Sequence, residues 1–277
     1  MNLRSLLFVP GDRPDRFAKA AASGADAIIL DLEDSVSSDR KADAVLAVAD
    51  YLKSPAEVVR CVRINPIDSG RLEEDLRVAA KADIVVLPKA EGAQSIHSLL
   101  ASLPNCPLIL PIATETPAAI FTIGQYAALA DQLCGLTWGA EDLPAAIGAE
   151  TSRESDGEYT APYQFARTLT LFGAHAAGVA AIETVFPALG DPEALRLYAA
   201  RGARDGFTGM MALHPCQIAT INAAFTPSPE AIEKARSIVA AFAASPGHGA
   251  LKLDGKMVDA PHLKQALSIL NRMDVNK

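Results

Sequence analysis

Ionisable side chains recur along this chain at the points where short apolar runs end. They are Arg13, Asp31, Glu33, Asp34, Arg63, Lys89, Glu115, Glu141, Asp142, Glu183 and His214. We expect five carboxylates from this set to meet at one rim, together with a single histidine. Mg²⁺ prefers oxygen ligands and is typically held by one or two carboxylates, with waters and substrate oxygens completing its shell. The residue types therefore predict a magnesium site rather than a zinc-type site.

Glu115 and Asp142 are the two carboxylates best placed to share one ion, because the runs before them are consecutive in the chain and neighbours in a barrel's strand order. Each also has a simpler interpretation. Glu115 precedes a helix that begins near Pro117, where a negative charge suits the helix dipole. Asp142 stands two residues before Pro144 and could cap a helix. Position alone leaves both interpretations open.

Arg63 lies between apolar neighbours in an apolar run and must be paired there, because a guanidinium does not deprotonate. It is either a structural ion pair with a rim carboxylate or a bidentate ligand for the carboxylate of a small acid. The acidic group at Asp31, Glu33 and Asp34 is costly unless a cation or arginines lie nearby. Asp34 or Ser35 could instead cap the next helix.

Lys89 follows the fourth run and could form a Schiff base, as in an aldolase barrel. A lysine in the turn after Pro88 can equally serve as a counter-ion at the rim, and this interpretation is favoured. His214, directly before Pro215, is predicted to start a loop or helix rather than act as a base.

The frame that positions these side chains is an alternation of short apolar runs and longer Ala-rich segments. The runs cover residues 5–9, 26–30, 58–64, 83–87, 108–112, 133–138, 179–185 and 206–213. Helical patterns cover 16–22, 42–52, 72–80, 93–103, 117–130, 164–177 and 192–200. Nearly continuous apolar strands separated by amphipathic helices indicate parallel pairing with both faces covered. Eight such units predict a (β/α)8 TIM barrel, with a doubly wound open sheet as the rival.

The pattern changes after residue 225, so we predict a catalytic barrel over 1–225 and a C-terminal helical extension over 226–277. The extension begins with a Pro-rich linker at 226–229 and a helix at 230–243. A hairpin-like segment at 251–258 and a helix at 262–273 follow. We expect this extension to act as a lid or to reach a neighbouring subunit.

Composition excludes several classes of protein. The chain has 25 basic and 33 acidic residues, a formal charge of −8, and no basic block, which argues against nucleic-acid binding. No apolar run approaches the length of a membrane helix. The four cysteines stand at 61, 106, 134 and 216 without a Cys-x-x-Cys motif, so a structural zinc site has no support. These features predict a soluble cytoplasmic protein with reduced thiols.

Seven short motifs in order resemble the citrate lyase β-subunit-like family of the HpcH/HpaI aldolase group, which includes citryl-CoA and malyl-CoA lyases. They are Phe8-Val9-Pro10-Gly11-Asp12-Arg13-Pro14, Asp31-Leu32-Glu33-Asp34-Ser35-Val36, Arg63-Ile64-Asn65, Leu87-Pro88-Lys89, Glu115-Thr116-Pro117, Gly139-Ala140-Glu141-Asp142 and Leu213-His214-Pro215. The match extends over essentially the whole chain.

The resemblance implies a Mg²⁺-dependent lyase that cleaves or forms a 3-hydroxyacyl-CoA, such as citryl-CoA or malyl-CoA. The products are an acyl-CoA and an oxoacid, either oxaloacetate or glyoxylate. By match to the family, Glu115 and Asp142 would hold Mg²⁺, with Asp142 and Glu141 also near substrate. Arg63 would bind the oxoacid. Glu33 and Asp34 would order waters around the ion.

The resemblance also assigns the CoA arm and a proton carrier. Arg13 in the loop 10–14 and His214 would contact CoA. Asp259, in a segment resembling one that reaches a neighbouring subunit's site, would protonate the enolate carbon or remove its proton. A homo-oligomer, a trimer or a dimer of trimers, is implied. Glu183 stands where relatives often carry Asp, and a shorter tail weakens the match at Asp259.

Three other functions stay open. The same site could hydrolyse the thioester, giving a free hydroxy acid. The chain could be a subunit of a larger lyase complex that acts on an acyl-carrier protein. A pyruvate-type aldolase without CoA is the third, although no histidine stands near 31–35 to act as its base.

Overall fold

The computed structural model describes residues 3–272. Eight parallel strands form its centre: β1 (Ser5–Pro10), β2 (Ala27–Asp31), β3 (Val59–Arg63), β4 (Ile84–Leu87), β5 (Leu108–Pro111), β6 (Gly135–Thr137), β7 (Ala180–Glu183) and β8 (Gly209–Ala212). The helices around them are α1 (Pro14–Ala21), α2 (Lys41–Tyr51), α3 (Leu72–Ala79), α4 (Ala93–Ser102), α5 (Pro117–Ile120), α6 (Asp142–Ile147), α7 (Ala161–Ala177), α8 (Pro192–Asp205) and α9 (Ile218–Phe225).

The strands close into a barrel, which confirms the predicted (β/α)8 class and excludes the open sheet. The hydrogen-bonded order runs β5-β4-β3-β2-β1-β8-β7-β6, and all of these pairs are parallel. β5 and β6 meet at the seam through two parallel bridges, Ile109 with Leu133 and Ile112 with Thr137. The seam is thinner than the other pairings, so the barrel is nearly rather than uniformly closed.

Strand alternation divides the core into two layers. Inward-facing residues such as Leu6, Ile29, Cys61, Leu110, Ile182 and Met211 fill the barrel interior. Their chain neighbours, such as Leu7, Ile28, Val62, Ile109 and Met210, pack outward against the helices. Each fully buried aliphatic side chain of this kind contributes about 1.5–3 kcal/mol. This parity also decides which polar residues at the strand ends face the mouth.

Helix starts follow local chemistry. Proline occupies the first position of α1, α5, α8 and α10, where a missing N–H costs nothing. Thr116, Asp191 and Ser228 each accept a backbone hydrogen bond as N-caps. The single helix predicted over 117–130 is wrong: α5 ends at Ile120 and a 3-10 segment, Ile123–Gln132, follows. Between these two segments the Thr122 hydroxyl donates a hydrogen bond to the Ala119 carbonyl. Gly124, near the start of the second segment, is a weak helix former.

Beyond the barrel lie α10 (Pro229–Ala244), the antiparallel hairpin β9 (Ala250–Leu253) and β10 (Lys256–Asp259), and α11 (Ala260–Asn271). Ala235, Ile238 and Ala266 form a small core of their own, with Phe242 and Leu253 packed against it. The helix–hairpin–helix order follows the predicted pattern. Met273, the last residue of the predicted second helix, lies outside the described residues. The division at residue 225 and the lid role stay predictions.

Candidate active site

The first three strands send Phe8, Asp31 and Arg63 into the barrel mouth. Each lies two positions beyond an inward-facing residue of its strand, so alternation turns it inward as well. They border a cavity of about 190 Å³, called here the mouth cavity. Its other polar lining residues are Asp34, Ser35, Glu115, Glu141, Asp142 and Thr184. The C-terminal ends of the strands thus form the site, as expected for this fold.

Arg63 is held from three sides. Its Nε donates to Asp31 Oδ1 and its Nη2 donates to Asp31 Oδ2, both at 2.6 Å, and its guanidinium carbon stands 4.8 Å from the Phe8 ring centroid. Nη1 lies 2.7 Å from Glu33 Oε2, although that buried oxygen accepts no hydrogen bond. The structure thus shows the ion-pair interpretation of Arg63, with Asp31 as its main partner. Arg63 also lines the cavity, and its role as a ligand for a substrate carboxylate stays a prediction.

Asp31 is the anchor of this group. It is fully buried, and it accepts hydrogen bonds from the Glu33 amide and from the Ser35 hydroxyl and amide. Burial raises the pKa of Asp31, but the charge and hydrogen bonds of Arg63 outweigh it and hold the pKa below its ordinary value. Asp34 and Ser35 do not cap the next helix, because Ser37 and Arg40 occupy those positions.

Lys89 is a counter-ion at the rim, as the favoured interpretation predicted. Its Nζ lies 2.6 Å from Glu33 and 3.4 Å from Asp142. Its backbone is left-handed, with φ of 51°, which costs a residue with a Cβ about 1–2 kcal/mol. In that conformation the Lys89 amide donates to Glu115 Oε2 at 2.6 Å. One residue thus joins three acidic groups.

Glu115 is buried against Gly139. A Cβ added at residue 139 would lie 2.6 Å from Glu115 Cγ, so only glycine allows this approach. Burial raises the pKa of Glu115 to about 8; the Lys89 amide opposes the rise, and the charges of Asp142 and Glu33 add to it. Thr116, not Glu115, caps α5, and Asp142 makes no side-chain capping bond at the start of α6.

These residues fit a divalent cation. Glu115 and Asp142 line one cavity, and their mutual repulsion is what a positive ion would remove. Among residues 3–272, no three His, Cys, Asp or Glu side chains converge in a metal-binding group. A pair of carboxylates is nevertheless a normal protein contribution to a magnesium site, because waters and substrate oxygens supply the other ligands.

A second cleft adjoins the mouth cavity and shares Phe8, Ser35 and Leu213 with it. It measures about 520 Å³ and is lined by Arg16, Lys19 and His214. His214 accepts the Cys216 amide through Nδ1 and starts a 3-10 turn, as predicted for it. Arg13 lies outside both linings and forms an exposed ion pair with Asp15.

Sequence reasoning missed Arg16 and Lys19. They stand three positions apart on α1, a spacing that places both on one face of a helix beside the first strand's mouth. That spacing was the available signal.

Glu183 does not face the mouth, so the expectation that the ionisable residues ending the apolar runs point into it is wrong for this residue. Ile182 faces inward on β7, and alternation turns Glu183 outward toward α7 and α8. It is fully buried there and accepts from Trp138 Nε1 at 2.6 Å, Arg167 Nε at 2.7 Å and the Tyr198 hydroxyl at 3.0 Å.

Asp259 is not among the residues lining the mouth cavity of its own chain. It lies at the start of α11, where its carboxylate pairs with His262. Its side chain is 40% exposed.

The fold and the site define a TIM-barrel enzyme whose acidic mouth is built around one fixed arginine. Residues 4–215 match the family described as HpcH/HpaI aldolase/citrate lyase, and the chain belongs to this family. It is an enzyme of the lyase class.

Three relatives show how far the similarity extends. A citrate lyase subunit beta-like protein of Mycobacterium tuberculosis is 38% identical, over 98% of this chain and 97% of that protein. A (3S)-malyl-CoA thioesterase of Cereibacter sphaeroides is 33% identical, over 98% and 94%. The crystal structure of protein CitE from M. tuberculosis in complex with magnesium, acetoacetate and coenzyme A has a TM-score of 0.83 and 36% identity, covering 98% of both chains.

Within residues 3–272, no helix combines the length and the apolar character needed to span a lipid bilayer.

Proposed function

We propose that this chain is a Mg²⁺-dependent carbon–carbon lyase for a 3-hydroxyacyl-CoA such as citryl-CoA or malyl-CoA. The reaction yields, or in reverse consumes, an acyl-CoA and an oxoacid. The observation that carries the proposal is the mouth cavity, where the fixed charge of Arg63 faces the carboxylates of Glu115 and Asp142. A relative solved with magnesium, acetoacetate and coenzyme A supports the same set of ligands.

Glu115 and Asp142 would hold the ion, and Glu33 and Asp34 would order waters beside it. When bound, Mg²⁺ supplies a Lewis acid that stabilises negative charge on a substrate oxygen. Lys89 already balances part of the acidic charge through Glu33 and Asp142. It therefore serves as a charge-balancing residue, and no covalent step is assigned to it.

Arg63 would bind the carboxylate of the oxoacid portion. Cleavage of the carbon–carbon bond leaves its electron pair on the carbon next to the thioester carbonyl, while the substrate hydroxyl loses its proton and becomes a carbonyl. One proton is thus released at oxygen and one is consumed at carbon, and the two balance over the reaction. Arg63 would present positive charge beside the oxygen that changes from hydroxyl to carbonyl. Asp31 and Phe8 fix the orientation of Arg63 before substrate binds. Such preorganisation is the main source of electrostatic stabilisation in active sites.

A proton must reach the carbon that carries the new electron pair, and we assign this transfer to Asp259 of a second copy of the chain. Asp259 is partly exposed and is not among the residues that line its own mouth cavity, which fits a residue that acts in a homotrimer or a dimer of trimers. Coexpression of Asp259→Asn with Glu115→Gln tests this. Mixed oligomers should regain activity that neither variant has alone, and a mixture without activity would contradict shared sites.

The cleft beside the mouth would hold the CoA arm. Arg16 and Lys19 offer exposed positive charge to its phosphates, and His214 lies at the same wall. The continuity of this cleft with the mouth cavity through Phe8 and Ser35 lets a thioester reach the site while its nucleotide stays outside. Arg13 would have to break its ion pair with Asp15 before it could bind the CoA arm.

The test is product analysis with citryl-, malyl- and β-methylmalyl-CoA in the presence of Mg²⁺. We expect an oxoacid and an acyl-CoA from at least one of them, with loss of the reaction in EDTA and in Glu115→Gln. Glu91→Gln is the matched control, because Glu91 lies near the same rim, exposed, bonded to Thr116 and outside the mouth cavity. Turnover that survives EDTA would overturn the proposal.

Thioester hydrolysis is the second candidate, because a relative 33% identical over 98% of the chain is a (3S)-malyl-CoA thioesterase. The same residues could bind the thioester and deliver water to it. Free malate with free CoA, in place of glyoxylate with acetyl-CoA, would identify this outcome.

We further propose that the protein works in the cytoplasm. All four cysteines are free thiols, as expected in a reducing compartment.

A further inference from the structure

An ion pair whose carboxylate is fully buried and whose arginine is 14% exposed lies behind the mouth of the barrel. Glu183 and Arg167 meet at 2.7 Å, and neither lines the mouth cavity. Removing two charges from water is costly, and well-packed apolar residues of similar size often serve stability as well or better. An ion pair kept in such a place therefore points to a role other than stability.

We propose that Glu183 is a positioning residue for the wall of the mouth that carries the magnesium ligands. This inference rests on the proposed function, because it concerns the same two carboxylates, Glu115 and Asp142. Glu183 itself faces away from the site.

The first link is Trp138, which donates Nε1 to Glu183 Oε1 at 2.6 Å. Trp138 is fully buried and directly precedes Gly139, the residue on which the Glu115 side chain packs. Asp142 follows three residues later in the same segment. The hydrogen bond from Trp138 to Glu183 thus fixes the start of the segment 138–142. This segment contacts Glu115, one proposed magnesium ligand, and contains Asp142, the other.

The second link is the strand of Glu183 itself. Its Oε1 also accepts the amide of Thr184 at 3.1 Å, and Thr184 lines the mouth cavity. Glu183 Oε1 therefore joins Thr184, just after β7, to Trp138, just after β6. The strands β6 and β7 are neighbours in the barrel.

The third link holds Glu183 from behind. Arg167 of α7 binds Oε2, and the Tyr198 hydroxyl of α8 donates to Oε1 at 3.0 Å. Gly202 of α8 lies so near that an added Cβ would stand 3.2 Å from Oε2. Glu183 is thus fixed by two helices while it fixes two strand ends. Residues that hydrogen-bond directly to metal ligands typically change metal affinity about 10–100-fold when altered. Glu183 acts one step further out, through Trp138 and Gly139, so we expect an effect at the lower end of that range.

The experiment uses Trp138, the single tryptophan of the chain, as a built-in probe. Mg²⁺ is titrated into the wild-type protein, Glu183→Gln and Asp205→Asn, followed by calorimetry and by Trp138 fluorescence. Asp205→Asn is the matched control, because Asp205 pairs with the other side of the same Arg167 at 2.9 Å and leaves the Trp138 bond intact. Tyr198→Phe serves as a milder variant that removes one donor and keeps the ring.

We expect Glu183→Gln to bind Mg²⁺ about tenfold more weakly, with a shifted Trp138 emission and a smaller response to the ion. Tyr198→Phe should weaken binding severalfold, and Asp205→Asn should match the wild type in both readouts. A merely structural role would lower the unfolding temperature of Glu183→Gln but leave the affinity of its folded fraction unchanged.

Two results would overturn the inference, and they differ. If the wild type binds Mg²⁺ and the folded Glu183→Gln and Tyr198→Phe variants bind it equally well, the positioning role is wrong and the proposed function stands. If the wild type itself gives no binding heat and no fluorescence change, the magnesium site of the proposed function fails, and the inference fails with it.

Discussion

Asp31 and Arg63 stand directly opposite each other in the register of β2 and β3, and two contacts of 2.6 Å join their side chains. The pair is buried, yet Arg63 still borders the mouth cavity. The charge proposed to meet the oxoacid is therefore oriented by the sheet itself, before any ligand arrives.

Asp31→Asn should destabilise the protein strongly, because it leaves the buried guanidinium without its main partner. Breaking a buried pair of this kind costs about 3–5 kcal/mol. The measurement is denaturant unfolding at pH 7. Asp15→Asn, which removes the exposed partner of Arg13, is the control and should unfold like the wild type. Equal stability of both variants would contradict the account of Arg63.

The same pair predicts a pH dependence. The pKa of Asp31 lies below its ordinary value in the folded chain, since the effect of Arg63 outweighs that of burial. The pKa of an aspartate in an unfolded chain is about 3.9. The stabilisation is therefore complete above about pH 5 and is lost as the pH falls through the folded pKa. The gap in unfolding free energy between wild type and Asp31→Asn should shrink on acidification; a constant gap would contradict this.

Lys89 should form no Schiff base. Burial lowers its pKa, but the hydrogen bond and charge of Glu33 outweigh that and raise it, so the amine stays protonated and non-nucleophilic. Incubation with oxaloacetate and borohydride, followed by peptide mass spectrometry, should show an unmodified Lys89. An oxoacid adduct on Lys89 would show that the aldolase alternative is correct.

Gly139→Ala should weaken Mg²⁺ binding and stability together, because the new methyl group would stand 2.6 Å from Glu115 Cγ. Overpacking of this kind costs about 1–3 kcal/mol. Gly190→Ala is the matched control, since an added Cβ there meets nothing within 4 Å. Calorimetry and thermal unfolding compare the two; a Gly139→Ala protein indistinguishable from Gly190→Ala would exclude the close packing of Glu115.

Lys19→Gln should lower affinity for CoA roughly fivefold, because one exposed charge contributes about 1 kcal/mol. The difference should fade as salt is added, since salt screens exposed charges. Lys53→Gln, an exposed lysine paired with Asp50, is the control. Equal CoA affinities for the two variants at low salt would place the CoA arm elsewhere.

Most of the frame was predictable, because buried parallel strands leave continuous apolar runs in the sequence. The same runs locate Arg63, Glu115 and Asp142 at strand ends, and these three do meet at one cavity. Lys89 was recognisable as a counter-ion because a rim rich in carboxylates needs one.

Other parts of the site depend on facts that a linear pattern does not carry. Whether Glu183 faces inward depends on the parity of β7, and a one-residue difference in where the run is taken to start reverses it. Arg16 and Lys19 lie on a helix rather than at a strand end, and only the path of the adjoining cleft brings them into the site. Asp259 belongs to the C-terminal extension. Its proposed role depends on how two copies of the chain assemble, which a linear pattern does not encode.

The most direct measurement is a crystal structure of the protein grown with magnesium and oxaloacetate. We predict one ion within about 2.0–2.1 Å of an oxygen of Glu115 and of Asp142, the oxoacid's oxygens in the same shell, and its carboxylate turned toward Arg63. An ion bound elsewhere, or two carboxylates too far apart to share one, would contradict the account.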